Sequence, residues 1–357
     1  MKKLLFTAYS MDIGGIEKAL ISLLKRIDYK KYEVTLILEK KSGVFLDELP
    51  KNVKVLEYKT NGSANVLFRK IVNRIKLIKW RFKLKNKYDF SCSFATYYKV
   101  GGLLALCASK NSALWIHSNY LKFFDDDSKK LVEYFNDINV NKYKKVVFLT
   151  DECKNDVLKY YKDINNSFVC GNYIDGDSII KDSSLYSVKE KYTFVNVGRH
   201  NEKSKGLTKL FNAFHKLKSE GYSFNSVFVG DGCDHDKYVK LVHDLSLDDI
   251  VTFVGEKKNP YPYMKSADAF VMSSNYEGFA IVFYESMIFN KPIISTKVGS
   301  YVDIDKKYGI FDNDIYNALK KYLDNGFEIK KRFDYKKYNI DLDKKIEELI
   351  KSWIWYN

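Results

Sequence analysis

The sequence predicts an α/β chain of two domains, each a parallel sheet wrapped by helices. Its length of 357 residues suits two domains of ordinary size, each able to bury its own core. Short β-rich runs alternate with helical stretches, the pattern of parallel sheets. Twice a strand runs through a glycine turn into a helix, once near Gly14 and Gly15 and once near Gly278.

The first domain is expected over 1–170. Strands are read at 3–8, 32–39, 53–58, 88–94, 112–118 and 144–150, with a helix over 99–109. Gly14 and Gly15 follow the first strand, where a pair of glycines lets backbone approach a ligand closely. The strand 112–118 ends on His117, at the end of a parallel strand where α/β ligands bind. The acidic cluster Asp125, Asp126 and Asp127, which mimics a metal-binding DxD, precedes a helix expected over 128–135. A polar hinge or linker is expected over 171–191.

The second domain is expected over 192–340, with strands at 192–197, 227–232, 251–255, 268–272 and 291–296. Arg199 and Lys205 follow its first strand, and Gly206 then leads into a helix. Fixed positive charge there suits a diphosphate, whose oxygens gain charge as a bond breaks. Lys203 is the rival for the lysine's place, but Lys205 directly precedes the glycine. The stretch 274–287, SNYEGFAIVFYESM, carries Glu277 in a turn and Glu285 eight places later in an apolar run. That run reads as a helix beginning near Ala280 or Ile281, so N–H groups of Phe279, Ala280 and Ile281 converge on one spot that attracts an anion. Glu285, a turn inside, can accept two hydrogen bonds from a vicinal diol such as a ribose. The stretch 341–357 reads as an amphipathic helix.

Composition bounds the partners. The net charge of +15 implies something anionic: nucleic acid, anionic lipid or a phosphorylated substrate. No apolar run approaches the ~20 residues of a membrane span, and the apolar part of the N-terminus is too short for a signal peptide. Cys92, Cys107, Cys153, Cys170 and Cys233 are scattered and odd in number, which fits reduced thiols in a cytosol. Cys233, His235 and His243 lack a fourth ligand for a zinc site.

The two glutamates in this context form an E-x7-E motif. With the aspartate-led strand 268–272 and Tyr276-Glu277-Gly278-Phe279, it resembles the retaining glycosyltransferases of family 4, which have the GT-B fold. The resemblance spans most of the chain and is most specific over 195–300. It implies two Rossmann-like domains facing each other across a cleft, with the C-terminal helix crossing back to the first. It implies that the donor is a nucleotide diphosphate sugar lying against Gly14 and Gly15. Arg199 and Lys205 would stabilise the departing diphosphate, helped by the N–H groups at Phe279, Ala280 and Ile281. Glu285 would bind the ribose, Glu277 the sugar hydroxyls, and His117 the transferred sugar. A uridine diphosphate sugar is the first choice of donor and guanosine diphosphate mannose the second. A front-face mechanism with retention is implied, and no cofactor or catalytic metal, which removes Asp125 to Asp127 as an ion site. The region 259–279 looks most like enzymes of capsule, O-antigen or lipid-linked oligosaccharide synthesis, so a lipid-linked saccharide acceptor is expected. Asn290 stands where the family usually has glycine, and Asp303 where glutamate is common. A GT-B epimerase would share the diphosphate site without an acceptor. A nucleic-acid-binding protein would explain the charge alone, but leaves the two glutamates unexplained.

One stretch adds a partner of its own. No acidic residue occurs over 58–88, and a helix is expected over 66–87. At about 100° per residue, Leu67, Ile71, Ile75, Ile78 and Phe82 form a stripe expected to pack on the first domain. Leu77, Trp80 and Leu84 fall opposite, flanked by Arg69, Lys76, Arg81 and Lys87. That second face is expected to lie on an anionic membrane, which would place the enzyme peripherally on the inner face of the plasma membrane.

Overall fold

The computed structural model describes residues 1–164, 166–304 and 307–351. The chain divides into two compact units, Met1–Tyr173 with Ile340–Asn357, and Ile174–Asn339.

The first unit is built on β1 (Lys2–Ala8), β2 (Tyr32–Leu38), β3 (Val53–Glu57), β4 (Phe90–Ser93), β5 (Ser112–Ile116), β6 (Lys145–Phe148) and β7 (Ser167–Val169). They form a 7-stranded parallel sheet in the order β3-β2-β1-β4-β5-β6-β7. β1 and β2 are nearly continuous apolar runs because helices cover both faces of such a sheet. The second unit holds β8 (Phe194–Val197), β9 (Ser226–Val229), β10 (Val251–Phe253), β11 (Ala269–Met272), β12 (Ile293–Thr296) and β13 (Gly309–Asp312). Its 6-stranded sheet runs β10-β9-β8-β11-β12-β13, again parallel. Phenylalanine fills much of this second core: Phe194 stacks on Phe214 at 5.9 Å, and Phe211 meets Phe228 at 5.0 Å.

Most strands lie within a residue or two of their expected bounds. β7 and β13 were not expected, since three or four residues at a sheet edge carry too little periodicity to read. The expected linker, 171–191, contains the helix Gly176–Asp182, which packs on the helices Tyr261–Ser266 and Ile281–Ile288. Asp175 caps it, accepting from Ser178 N at 3.2 Å.

The C-terminal helix Tyr335–Lys351 starts earlier than expected. Its later part joins the first unit. Asp343 accepts from Arg26 Nε at 3.0 Å and from Tyr173 Oη at 2.8 Å. Near its end, Lys145 Nζ donates to the Leu349 carbonyl at 3.1 Å, and Asn111 Nδ2 to the Ile350 carbonyl at 3.2 Å. Leu342, Ile346, Leu349 and Ile350 are buried. The remaining expected turn, 352–357, lies outside the described residues.

The helix Val66–Leu84 faces the opposite way from the expectation. Leu84 is buried, and Leu77 and Trp80 pack against Leu5, Ile37, Tyr58, Leu104 and Ala108. The Trp80 ring meets Tyr58 edge-on at 5.6 Å. Leu67, Ile71, Ile75, Ile78 and Phe82, expected inside, are 69%, 50%, 49%, 45% and 74% exposed. The reason is polar. Asn73 Oδ1 accepts from Asn61 N at 2.7 Å, Asn73 Nδ2 donates to the Asn61 carbonyl at 3.3 Å, and Lys76 Nζ donates to the Lys59 carbonyl. Asn73, Leu77, Trp80 and Leu84 share one helical face. Counting apolar residues favours the other face, because the inward one is anchored by an amide.

Candidate functional site

In an open parallel sheet, ligands bind beyond the carboxyl ends of the strands, where the strand order reverses. In the second unit that point lies between β8 and β11, paired through Phe194↔Ala269 and Val195↔Phe270. The loop after β8 carries Arg199 and Lys205, and the loop after β11 carries Glu277, Phe279 and Ala280. The topology thus brings most of the expected site residues of this unit to one place.

The two loops are stitched together. Asn275 N donates to the Ser204 carbonyl at 2.8 Å, and Asn275 Nδ2 to the carbonyls of Glu202 and Lys203 at 3.1 Å. Ser273 Oγ lies 3.1 Å from the Lys205 and Gly206 carbonyls. Gly206 has φ +56°, and a Cβ there would lie 2.9 Å from Asn275 Oδ1, so glycine suits both the dihedral and the closeness. From this brace Lys205 Nζ reaches Glu277 Oε1 at 2.6 Å, its stem running over Gly198. Ser274 Oγ donates to the same oxygen at 2.6 Å. The lysine and glutamate side chains are 23% and 15% exposed, partly shielded yet open enough to meet a ligand. Lys203 is exposed, as is Arg199.

The helix Ile281–Ile288 starts just past Glu277. Ala280 caps it in the left-handed region, φ 49°, a conformation costly for a residue with a Cβ. Two contacts hold it. Ser300 Oγ donates to the Phe279 carbonyl at 2.6 Å, and Gly299, at φ +60°, packs so closely that a Cβ would lie 3.0 Å from Glu277 Cβ. The first N–H groups of that helix are therefore held by the same turn that carries Glu277, the partner of Lys205, and a helix N-terminus with a nearby cation suits phosphate oxygens.

Glu285 lies on the helix one turn in and is 2% exposed. Tyr261 Oη donates to its Oε1 at 3.0 Å. Burial, together with this carboxylate, pushes the Tyr261 phenol well up, so it stays a donor. Neither Tyr261 nor Ser274 was singled out in the sequence. Each meets its glutamate through folding, and neither motif nor periodicity signals a hydroxyl.

A further cluster lies after β8 and β9. His200 Nδ1 is 2.9 Å from His235 Nδ1, and Asp231 stands beside them with ligand atoms all within 4.8 Å. Among the described residues this is the grouping with the mutual distances of a metal site, and it differs from the Cys233, His235 and His243 set weighed from sequence. Burial, and then His235, lower the His200 pKa to about 4, so at neutral pH the ring is uncharged and shares a hydrogen bond with His235.

Gly14, Gly15 and His117 belong to the first unit. Gly14 caps the helix Gly15–Arg26 after β1, beside β4, where that sheet's order also reverses. His117 follows β5, its ring 4.6 Å from Phe94 and stacked on Trp115 at 6.5 Å. Its Nε2 is buried without a partner among the described residues, and burial lowers its pKa to about 3. Asp127 caps the helix Ser128–Asp137 by accepting from Lys129 and Lys130 N. The membrane-facing role expected of Leu77, Trp80 and Leu84 is overturned, since those three turn toward the core.

Residues 178–340 match the family described as glycosyl transferases group 1. The chain is 24% identical over 351 residues to the N-acetylgalactosamine-N,N'-diacetylbacillosaminyl-diphospho-undecaprenol 4-alpha-N-acetylgalactosaminyltransferase of Campylobacter jejuni, covering 91% of each. It is 24% identical over 303 residues to an uncharacterised glycosyltransferase of Methanocaldococcus jannaschii, covering 80% of this chain and 72% of that one. In fold it is similar to the Anabaena protein HepE, solved with UDP-glucose, at TM-score 0.77 and 17% identity, over 98% of this chain and 100% of that one. With two Rossmann-like parallel-sheet units and this likeness, the chain has the GT-B fold, and residues 178–340 carry its match to the group 1 glycosyl transferases.

Proposed function

We propose that the protein transfers a hexose from a nucleotide diphosphate sugar, a uridine diphosphate sugar before guanosine diphosphate mannose, to a lipid-linked saccharide, with retention at the anomeric carbon. The observation that carries the reading is the Lys205–Glu277 pair, 2.6 Å apart at the switch point, with Glu277 on the turn that leads into Ile281–Ile288. A cation and a helix N-terminus suit a diphosphate, and the adjacent carboxylate suits sugar hydroxyls. The relatives support the chemistry: one is named for transfer to a diphospho-undecaprenol saccharide, and HepE was solved with UDP-glucose.

In this reading the bond from the anomeric carbon to the β-phosphate oxygen breaks, and a bond to the acceptor hydroxyl oxygen forms on the same face. The acceptor's proton passes to the leaving phosphate. Lys205, Arg199 and the N–H groups at Phe279, Ala280 and Ile281 hold the charge that collects on the diphosphate. Glu285, one oxygen held by Tyr261, orients the ribose. Glu277 orients the sugar. Nucleotide-activated donors place the reaction on the cytoplasmic side.

The test is a thermal-shift screen over nucleotide sugars and bare nucleotides, followed by product analysis. A ligand at a hundred times its Kd stabilises by about 2.7 kcal/mol. A shift with uridine diphosphate sugars and transfer to an isolated lipid-linked saccharide are expected. An epimerised donor without transfer, or no shift with any nucleotide sugar, overturns the reading.

A further inference from the structure

We propose that the outward face of the helix Val66–Leu84 is a docking surface for anionic lipid, on which the protein rests without crossing the bilayer. This does not depend on the donor or acceptor chemistry above. Leu67, Phe68, Ile71, Ile75, Ile78 and Phe82 are each 45% to 74% exposed. At about 100° per residue these six fall within an arc of roughly 100°. Large side chains aligned along one face of one helix differ from the scattered apolar residues that any surface carries.

The flanks name the occupant. Arg74, Arg81 and Lys70 border the stripe on one side, Lys79 and Lys83 on the other, and all five are exposed. No acidic residue occurs from Tyr58 to Tyr88. An apolar stripe between two basic rows suits an interface in which acyl chains meet the stripe and anionic headgroups meet the rows. A second copy of this chain fits worse, because an isologous contact through this face would set basic rows against basic rows. Among the described residues no helix is long and apolar enough to cross a membrane, so the helix lies on the surface. The inward face is already spent on Asn73, Leu77, Trp80 and Leu84, which fix the helix to the sheet and present the stripe rigidly.

The experiment is vesicle flotation of the full chain with phosphatidylcholine alone and with phosphatidylcholine plus phosphatidylglycerol. Wild type floats with the anionic vesicles and, with the neutral ones, at least about tenfold less, because several basic residues contribute. The triple variant Ile71→Ser, Ile75→Ser, Phe82→Ser loses flotation while keeping its thermal midpoint and far-UV spectrum, since all three positions are exposed. The variant Lys70→Gln, Arg74→Gln, Lys79→Gln, Lys83→Gln abolishes the preference for anionic lipid. Flotation of the triple variant equal to wild type, or no flotation of wild type with either vesicle, overturns the proposal. So does a wild-type dimer in sedimentation velocity that the triple variant dissolves while vesicles bind neither protein.

Discussion

Replacing Lys205 by methionine tests the site most directly. The change keeps an apolar stem over Gly198 and removes the charge 2.6 Å from Glu277. The pair is only partly buried, so its loss costs the fold roughly 1 kcal/mol at most and the melting temperature barely moves. A charge-assisted hydrogen bond to a diphosphate is worth about 1.5–3 kcal/mol. At 1.4 kcal/mol per tenfold, the Kd for uridine diphosphate weakens by roughly 10- to 150-fold. Turnover falls further, by ~10²–10³, because charge builds on the leaving oxygens only as the bond breaks. Calorimetric titration with uridine diphosphate and initial rates with saturating donor read the two effects separately. A folded Lys205→Met protein with unchanged affinity and near-normal turnover refutes the assignment, and Arg199→Ala then decides whether any cation serves there. The partner predicts the opposite sign for binding. Glu277→Gln removes an anion from beside the ammonium, so the bare nucleotide binds as well or better while transfer falls.

Glu285→Gln weakens binding of the bare nucleotide, and Tyr261→Phe does so less; equal affinity in titrations of both variants contradicts a ribose role. Activity survives EDTA; complete loss restored by Mn²⁺ or Mg²⁺ contradicts this and turns attention to His200, Asp231 and His235. His117 makes folding sensitive to acid. Its folded pKa lies near 3 against 6.5, so below pH 6.5 the unfolded chain binds a proton that the folded chain refuses. Stability is lost as pH falls from 6.5 toward 3, by about 2 kcal/mol at pH 5 from this group. Urea unfolding of His117→Gln shows a shallower loss between pH 7 and pH 5 than wild type, whatever its stability at pH 7; parallel curves sink the argument.

What the sequence made legible was what repeats. Parallel strands buried on both faces announce themselves as apolar runs, and β1, β2, β6, β9 and β11 were each readable from one such run. Glycine turns marked where backbone approaches a ligand. Elements held by a few polar contacts were not legible. The helix Gly176–Asp182 depends on an aspartate cap, and the orientation of Val66–Leu84 on one asparagine. That helix has two apolar faces, and periodicity alone cannot say which is covered. The deciding partners, Asn61 and Tyr58, lie in a loop with no periodicity.

The meeting of Lys205 with Glu277 was legible for a topological reason. Lys205 and Glu277 are 72 residues apart, and nothing local links them. Each follows its own strand, and each strand was readable. Once the sheet runs β10-β9-β8-β11-β12-β13, β8 and β11 become neighbours whose chains depart in opposite directions. Their following loops must then border one crevice. A lysine read after one strand and a glutamate after the other are brought together by strand order. The hydroxyls that complete the site obey no such rule. Ser274 reaches Glu277 from three residues away because Thr296 Oγ1 donates to the Ser274 carbonyl at 2.7 Å and sets the turn. Tyr261, which precedes β11 in the chain, reaches Glu285, which follows it. Strand order therefore places the charges, and side-chain bracing from β12 and from the helix Tyr261–Ser266 decides their exact direction. Variants of Thr296 and Tyr261 accordingly alter how well the carboxylates are aimed, while variants of Lys205 and Glu277 remove the charges themselves.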